Sequence, residues 1–232
     1  MASGQTRDDR LPALKQAVVE TVNELYEHGL ITPTGGNVSV RLPDTGHILI
    51  TASQIFKGGL GPEHVLEVDD QGRPVREPPP TGSSGARIRP SVETGMHLAV
   101  YASRPDVGAV VHTHAPLATV WSLFEEPVPP LTLEAVRFTE LRTVPFAAPG
   151  SNDLAVRTAE ALARGPAVLL RNHGLVTVGR DLREALNITF ALEESLKTAF
   201  MARLAVLCGF RGGEPALIPP KAVEFLRKVV IP

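Results

Sequence analysis

Apolar residues recur along this chain with two different periods, and the switches between them divide it into helices and strands. Leu14, Val18, Val22 and Leu25 fall three or four apart and predict an amphipathic helix over 11–30, closed by Gly29. After the Gly- and Pro-rich turn Thr32-Pro33-Thr34-Gly35-Gly36-Asn37 the period drops to two. Val38-Ser39-Val40-Arg41, the turn Asp44-Thr45-Gly46 and His47-Ile48-Leu49-Ile50-Thr51 then read as a hairpin, with Leu66-Glu67-Val68 as a further strand. Val92, Met96, Ala99 and Val100 return to helical spacing. Pro90-Ser91-Val92-Glu93 opens that helix with Ser91 as its N-cap, and Arg104-Pro105 ends it. The apolar run 107–111, bounded by Pro105 and Pro116, predicts a buried strand that carries His112-Thr113-His114.

Farther along, 117–124 reads as a helix, 141–146 as a strand, and Ser151-Asn152-Asp153 as the cap of a helix over 154–163. Two apolar half-strands, 167–170 and 175–179, are separated by Arg171-Asn172-His173-Gly174. Asp181 caps a long helix whose stripe is Leu182, Ala185, Ile188, Leu192, Leu196 and Ala199. A Pro/Gly loop over 211–219 precedes a short terminal helix over 221–230. Strands and helices alternate, but the first two strands join through a tight turn. The fold class is therefore α/β of the α+β type, with a mixed or mainly antiparallel sheet.

A chain of 232 residues can bury a full core. We expect a single domain over 11–210, preceded by a disordered tail over 1–10 and followed by the loop and helix of 211–232. Residues 73–90 are rich in Pro, Gly and Ser without periodicity and predict a mobile surface loop, with a linker as the alternative. A formal charge of −2 gives no bulk attraction to nucleic acid or anionic membrane. The apolar runs are too short to span a bilayer, and the first ten residues lack the apolar core of a secretory signal. The one cysteine, Cys208, excludes an intrachain disulfide, fits a cytoplasmic location and reads as a small core residue.

The chemistry centres on histidine. His112 and His114 alternate on one strand and so face the same side, close enough to share a metal ion. His173, in a turn that breaks a strand, is a third ligand candidate. Glu93 suits the positive end of a helix, and His97 lies one turn on, as a packing residue or a support to the site. The backbone amides around Gly35 and Gly36 can approach an anion closely.

Five stretches occur together and in order: Gly36-Asn37-Val38-Ser39-Val40-Arg41, Ile50-Thr51-Ala52-Ser53, Pro90-Ser91-Val92-Glu93, the stretch from Arg104-Pro105-Asp106 to His112-Thr113-His114, and Arg171-Asn172-His173-Gly174-Leu175. With them the sequence resembles the class II aldolase/adducin family over roughly 11–205. The resemblance implies a central, mainly antiparallel sheet with helices on both sides, and a homotetramer with active sites near subunit interfaces. It makes His112, His114 and His173 the ligands of one divalent metal per chain, Zn²⁺ ahead of Mn²⁺ or Co²⁺, and Glu93 the general acid/base. Asn37, Ser53 and Ser91, with Gly36 and Gln54 beside them, match the positions that hold a substrate phosphate.

The implied reaction is that of a metal-dependent lyase. It cleaves or forms a small hydroxy-ketone or sugar phosphate through a metal-stabilised enediolate. Dehydration or decarboxylation of a related keto substrate is the alternative, and a non-catalytic adducin-like module the third reading. Glu93 where the epimerases carry Asp favours a lyase. Ser91-Val92-Glu93-Thr94 together with Lys57 resembles the dehydratase branch, and Asn172-His173-Gly174 the aldolase branch. Two positions depart from the pattern. Gln54 stands where the family has glycine, and Val92 where it has a second serine, so weaker discrimination for phosphate is expected. Nothing matches the aldolases' C-terminal tyrosine; Tyr26 and Tyr101 both fall in predicted helices.

Overall fold

Apolar side chains on alternate sides of the strands build a sheet that must be covered on both faces, and helices cover it. The structure, a computed structural model, describes residues 7–81, 86–210 and 213–230. In chain order the elements are α1 (Arg7–Glu27), β1 (Asn37–Arg41), β2 (Ile48–Thr51), β3 (Val65–Val68), β4 (Pro80–Thr81), β5 (Ala86–Arg87), α2 (Thr94–Ser103) and β6 (Ala109–Thr113). There follow α3 (Pro116–Trp121), β7 (Arg142–Val144), α4 (Asn152–Ala161), β8 (Ala167–Leu170), β9 (Gly174–Gly179), α5 (Leu182–Leu207) and α6 (Pro220–Val230).

Seven strands form one sheet in the order β3-β2-β1-β6-β9-β8-β7. Neighbours are antiparallel except β7 and β8, which run parallel because α4 crosses between them. The alternation expected of β-strands sorts the core into two layers. Val38, Val40, Leu49, Ala109 and Val111 pack toward α1 and α5. Ile48, Ile50, Val110, Val176 and Val178 pack toward α2 and α4 with Met96, Val100, Leu154 and Ala155. His112 keeps the parity of Val110, so it faces the α2 layer.

Ser151 and Asp181 cap α4 and α5 as expected, accepting hydrogen bonds from the amides of Leu154 and Glu184. Other expectations are corrected. The helix opened by Pro90-Ser91-Val92-Glu93 starts at Thr94, and its N-cap is Glu93, not Ser91. Ser91 is held by its own amide, which donates to the Thr51 carbonyl at the end of β2. It then makes a tight turn in which its carbonyl accepts from the Thr94 amide and hydroxyl. The first helix begins at Arg7, so residues 7–10 of the expected tail are helical; the rest of that tail lies outside the described residues. The 73–90 stretch carries the small ribbon β4–β5 and buries Ile88 against Ala52 and Leu66. The helix expected over 117–124 is the shorter α3. Cys208 is not a core residue but is exposed at the C-cap of α5, where Leu204 and Leu207 are exposed as well. Among the described residues no helix is long and apolar enough to cross a membrane.

Candidate active site

Three imidazoles converge at one end of β6. His112 is fully buried, and its Nδ1 lies 3.0 Å from the Leu175 carbonyl oxygen. A carbonyl can only accept, so Nδ1 carries a hydrogen, and Nε2 is the nitrogen turned toward the other two rings. The Nε2 atoms of His112 and His114 are 3.2 Å apart, and the ring of His173 stands 4.7 Å from that of His112 and 5.1 Å from that of His114. One ligand atom from each ring falls within 4.8 Å of the others.

The backbone that delivers His173 is specialised. Asn172 adopts φ of +58°, a left-handed turn conformation that asparagine tolerates better than other non-glycine residues, and its amide donates to the Ser122 hydroxyl. Gly174 then passes so close to β6 that a Cβ there would stand 2.1 Å from the Thr113 carbonyl oxygen. Gly35 serves His114 likewise, since a Cβ on it would meet the ring at 2.6 Å. Glycine at position 35 therefore allows the 32–37 loop to close on the His114 ring, in addition to freeing amides.

Glu93 brings a carboxylate to the same point. Oε2 accepts a hydrogen bond from Asn37 Nδ2 at 2.9 Å and lies 3.2 Å from His112 Nε2; Oε1 lies 3.5 Å from His173 Nε2. Burial pushes the Glu93 carboxyl up, but His112, Asn37 and His173 beside it pull it down and prevail, so it is anionic at neutral pH. His114 and His173 are lowered to about 4, first by burial and then by His112, so both are neutral. The three rings and the carboxylate together make a ligand set that fits a divalent cation. Glu93 Oε1 and His173 Nδ1 are, moreover, buried without a hydrogen-bond partner among the described residues. A tetrahedral ion with Zn–N bonds of about 2.0–2.1 Å separates its ligand nitrogens by roughly 3.3 Å. The 3.2 Å between His112 and His114 fits such an ion.

The segments expected to hold phosphate meet beside this cluster. Ala52 and Pro90 bridge, Ser53 donates its amide to Arg89, and the Ser91 amide donates to Thr51. Their side chains are less free than the sequence implies. Both ends of the Asn37 amide are engaged, by Glu93 and by His97 Nε2 at 2.5 Å, and the Ser91 hydroxyl accepts from the Glu93 amide. Gly36 has φ of +79° and Gln54 φ of +54°, so Gln54 holds the left-handed conformation that glycine adopts without strain. Val92 is exposed. Two further residues belong to the surroundings of the site, of which the sequence singles out only Lys57, and not its burial. Lys57 is fully buried, lowered to about 8 by that burial, with one long hydrogen bond of 3.4 Å to the Ala52 carbonyl; a lysine beside Gly-Gly gives no sign of this. Glu193 accepts from the amides of Leu117 and Ala118 and so anchors the segment just after His114.

The chain has relatives among known proteins. Residues 16–200 match the model of the class II aldolase and adducin N-terminal domain. The chain is 30% identical over 214 residues to a 5-methylthioribulose-1-phosphate/5-deoxyribulose-1-phosphate aldolase of Rhodospirillum rubrum, covering 91% of this chain and 88% of the relative. It is 31% identical over 194 residues to a 3-oxo-tetronate 4-phosphate decarboxylase of Haemophilus influenzae, covering 81% and 87%. A solved L-fuculose 1-phosphate aldolase superposes with a TM-score of 0.80 at 28% identity, covering 97% of both chains. On the family match, carried by nearly the whole sheet and by the stretch that holds all three histidines, the chain belongs to the class II aldolase and adducin N-terminal domain family.

Proposed function

We propose that this protein is a metal-dependent carbon–carbon lyase acting on a small hydroxy-ketone or sugar phosphate, with Glu93 as its general acid/base. One observation carries the reading: three imidazoles and a single carboxylate converge on one point at the end of β6. A non-catalytic module has no use for a desolvated carboxylate whose Oε1 is left without a hydrogen-bond partner. His112, His114 and His173 are the residues that hold the ion. We assign Zn²⁺ ahead of Mn²⁺ or Co²⁺, because an all-imidazole set suits it and leaves an open position. Bound there, a divalent cation supplies Lewis-acid polarisation of a substrate carbonyl.

The residues of the chain divide the remaining work. Asn37 fixes Oε2 of Glu93, which leaves Oε1 as the oxygen that moves the proton. The anionic carboxylate removes a proton from the carbon beside the carbonyl in condensation and returns it in cleavage. The amides near Gly36 and Gln54, with Ser53 and Ser91, form the side of the site where the anionic end of a substrate is held. The location is cytoplasmic and the assembly a homotetramer; exposed Phe200, Met201, Leu204 and Leu207 on α5 support an interface between copies.

The test is an assay of the zinc-loaded chain on 5-deoxyribulose 1-phosphate and L-fuculose 1-phosphate, with release of the aldehyde as the readout. Cleavage of either is expected. The likeness to the tetronate phosphate decarboxylase favours decarboxylation as the second reading, and loss of CO₂ from 3-oxo-tetronate 4-phosphate without aldehyde release from the sugars would select it. Dehydration of a ketose phosphate uses the same groups.

A further inference from the structure

A strand advances roughly 6.6 Å over two residues and a helix about 6.0 Å over four. Alternate residues of a strand can therefore stay in step with every fourth residue of a helix lying along it. Here β1 offers Asn37, Ser39 and Arg41 on the face toward α2, and α2 with its cap offers Glu93, His97 and Tyr101. The contacts interleave. Asn37 Nδ2 meets Glu93 Oε2 at 2.9 Å, Asn37 Oδ1 meets His97 Nε2 at 2.5 Å, Ser39 Oγ meets His97 Nδ1 at 2.7 Å, and Tyr101 Oη meets Ser39 Oγ at 2.9 Å. Arg41 closes the row, with its guanidinium over the Tyr101 ring and hydrogen bonds to the carbonyls of Tyr101, Arg104 and Val107.

The chemistry of these atoms fixes the direction of every bond. A carboxylate only accepts, so Asn37 turns its Nδ2 toward Glu93 and its carbonyl oxygen toward His97. That oxygen also only accepts, so His97 Nε2 is protonated. His97 is fully buried, and burial lowers it to about 3, so the ring is neutral and its Nδ1 is an acceptor. Ser39 must then donate to Nδ1 and take a hydrogen from Tyr101. We propose that Tyr101, Ser39, His97 and Asn37 form a one-way hydrogen-bond chain that orients the Glu93 carboxylate, with His97 locked as its neutral Nε2–H tautomer. The proposal rests on the reading of Glu93 as the proton-transfer group.

The chain positions the carboxylate and does not conduct protons. An amide would have to pass through an imidic acid to relay one, and Asn37 stands between His97 and Glu93. Its effect is to hold Oε2 while Oε1 stays free. Aligned donors also polarise one another, so each link strengthens the next. His97 and Asn37 are thus positioning residues, and Ser39 and Tyr101 hold His97.

Two measurements test this. The first is ¹⁵N NMR of the zinc-loaded protein at neutral pH. A protonated Nε2 and bare Nδ1 on His97 are expected; a protonated Nδ1 or an imidazolium overturns the chain. The second follows exchange of solvent deuterium into dihydroxyacetone phosphate. His97→Leu should lower its turnover roughly 10–100-fold, with the half-saturating concentration and the zinc per chain unchanged, and His97→Gln, which restores a donor to Asn37, should recover most of it. Wild-type exchange by His97→Leu overturns the positioning role. Where that variant does not fold, Ser39→Ala replaces it, and an unaltered tautomer together with an unaltered rate overturns the proposal. Absence of exchange in the wild type counts against the aldolase reading, whereas the tautomer still decides the chain.

Discussion

Gly174 and Thr113 approach so closely that a Cβ on the glycine would stand 2.1 Å from the Thr113 carbonyl oxygen. This contact clamps the turn carrying His173 onto the strand carrying His112. Gly174→Ala should therefore push β9 from β6, costing about 1–3 kcal/mol, the range of an overpacked core site. Denaturant melts of the metal-free protein measure it, and unchanged stability would show that the turn shifts freely.

The three imidazoles predict one divalent ion per chain. Replacing His112, His114 or His173 by Ala should reduce zinc recovered after gel filtration below one per chain in each case. Elemental analysis provides the readout. Full occupancy in all three variants would move the metal elsewhere.

For Glu93→Gln we expect retained zinc and a turnover lower by roughly 10²–10⁴-fold, the usual contribution of a proton-transfer group. The glutamine keeps the size of the side chain and the contact with Asn37. Activity near that of wild type, on whichever substrate the wild type cleaves, would reduce Glu93 to a charge at a helix end.

Burial of His97 also sets an acid limit on the fold. Its folded-state value is lowered from 6.5 to about 3, so the unfolded chain binds a proton that the native protein refuses. The stability associated with this group is complete above about pH 6.5 and is lost as pH falls toward 3, by up to about 1.4 kcal/mol per pH unit. His114 and His173 are lowered too, to about 4, so the comparison is between metal-free wild type and His97→Gln. The variant should show the shallower loss between pH 6 and pH 4 in urea titrations; parallel curves would mean that His97 is already charged.

The histidines were legible in the sequence because strand parity and a strand-breaking turn are local patterns. The two core layers followed from the same alternation in 38–50 and 107–111. The start of α2 was not legible, since Ser91 has the chemistry of an N-cap and only its pairing with Thr51 removes it from that role. Nor was the work of Asn37. Its match to a phosphate-holding position says nothing of His97 and Glu93, which are 60 and 56 residues away and take both ends of its amide. The spacing Asn37-x-Ser39-x-Arg41 against Glu93-x₃-His97-x₃-Tyr101 was in view all along. It acquires meaning only once β1 and α2 are known to lie side by side. The resemblance singled out Lys57, but nothing in its local sequence signalled its burial.

The last prediction concerns the substrate's anionic end and Gln54. At φ of +54° this residue sits where an L side chain costs about 1–2 kcal/mol and glycine almost nothing. Gln54→Gly relieves that strain but loosens the unfolded chain by roughly 0.5–1 kcal/mol, so the net change in stability should stay within about 1 kcal/mol. The effect on binding should be larger. Glycine frees the amide and the space beside Ser53, and a donor to a charged oxygen contributes about 1.5–3 kcal/mol, some ten- to hundredfold in affinity. The experiment compares kcat/KM for dihydroxyacetone phosphate and dihydroxyacetone as donors with one aldehyde. Wild type should prefer the phosphate by less than about 10⁴-fold, and Gln54→Gly should widen the gap at least about tenfold. A wild-type preference already above 10⁴ would mean that other groups complete the pocket, and an unchanged ratio in the variant would place the anion away from this loop.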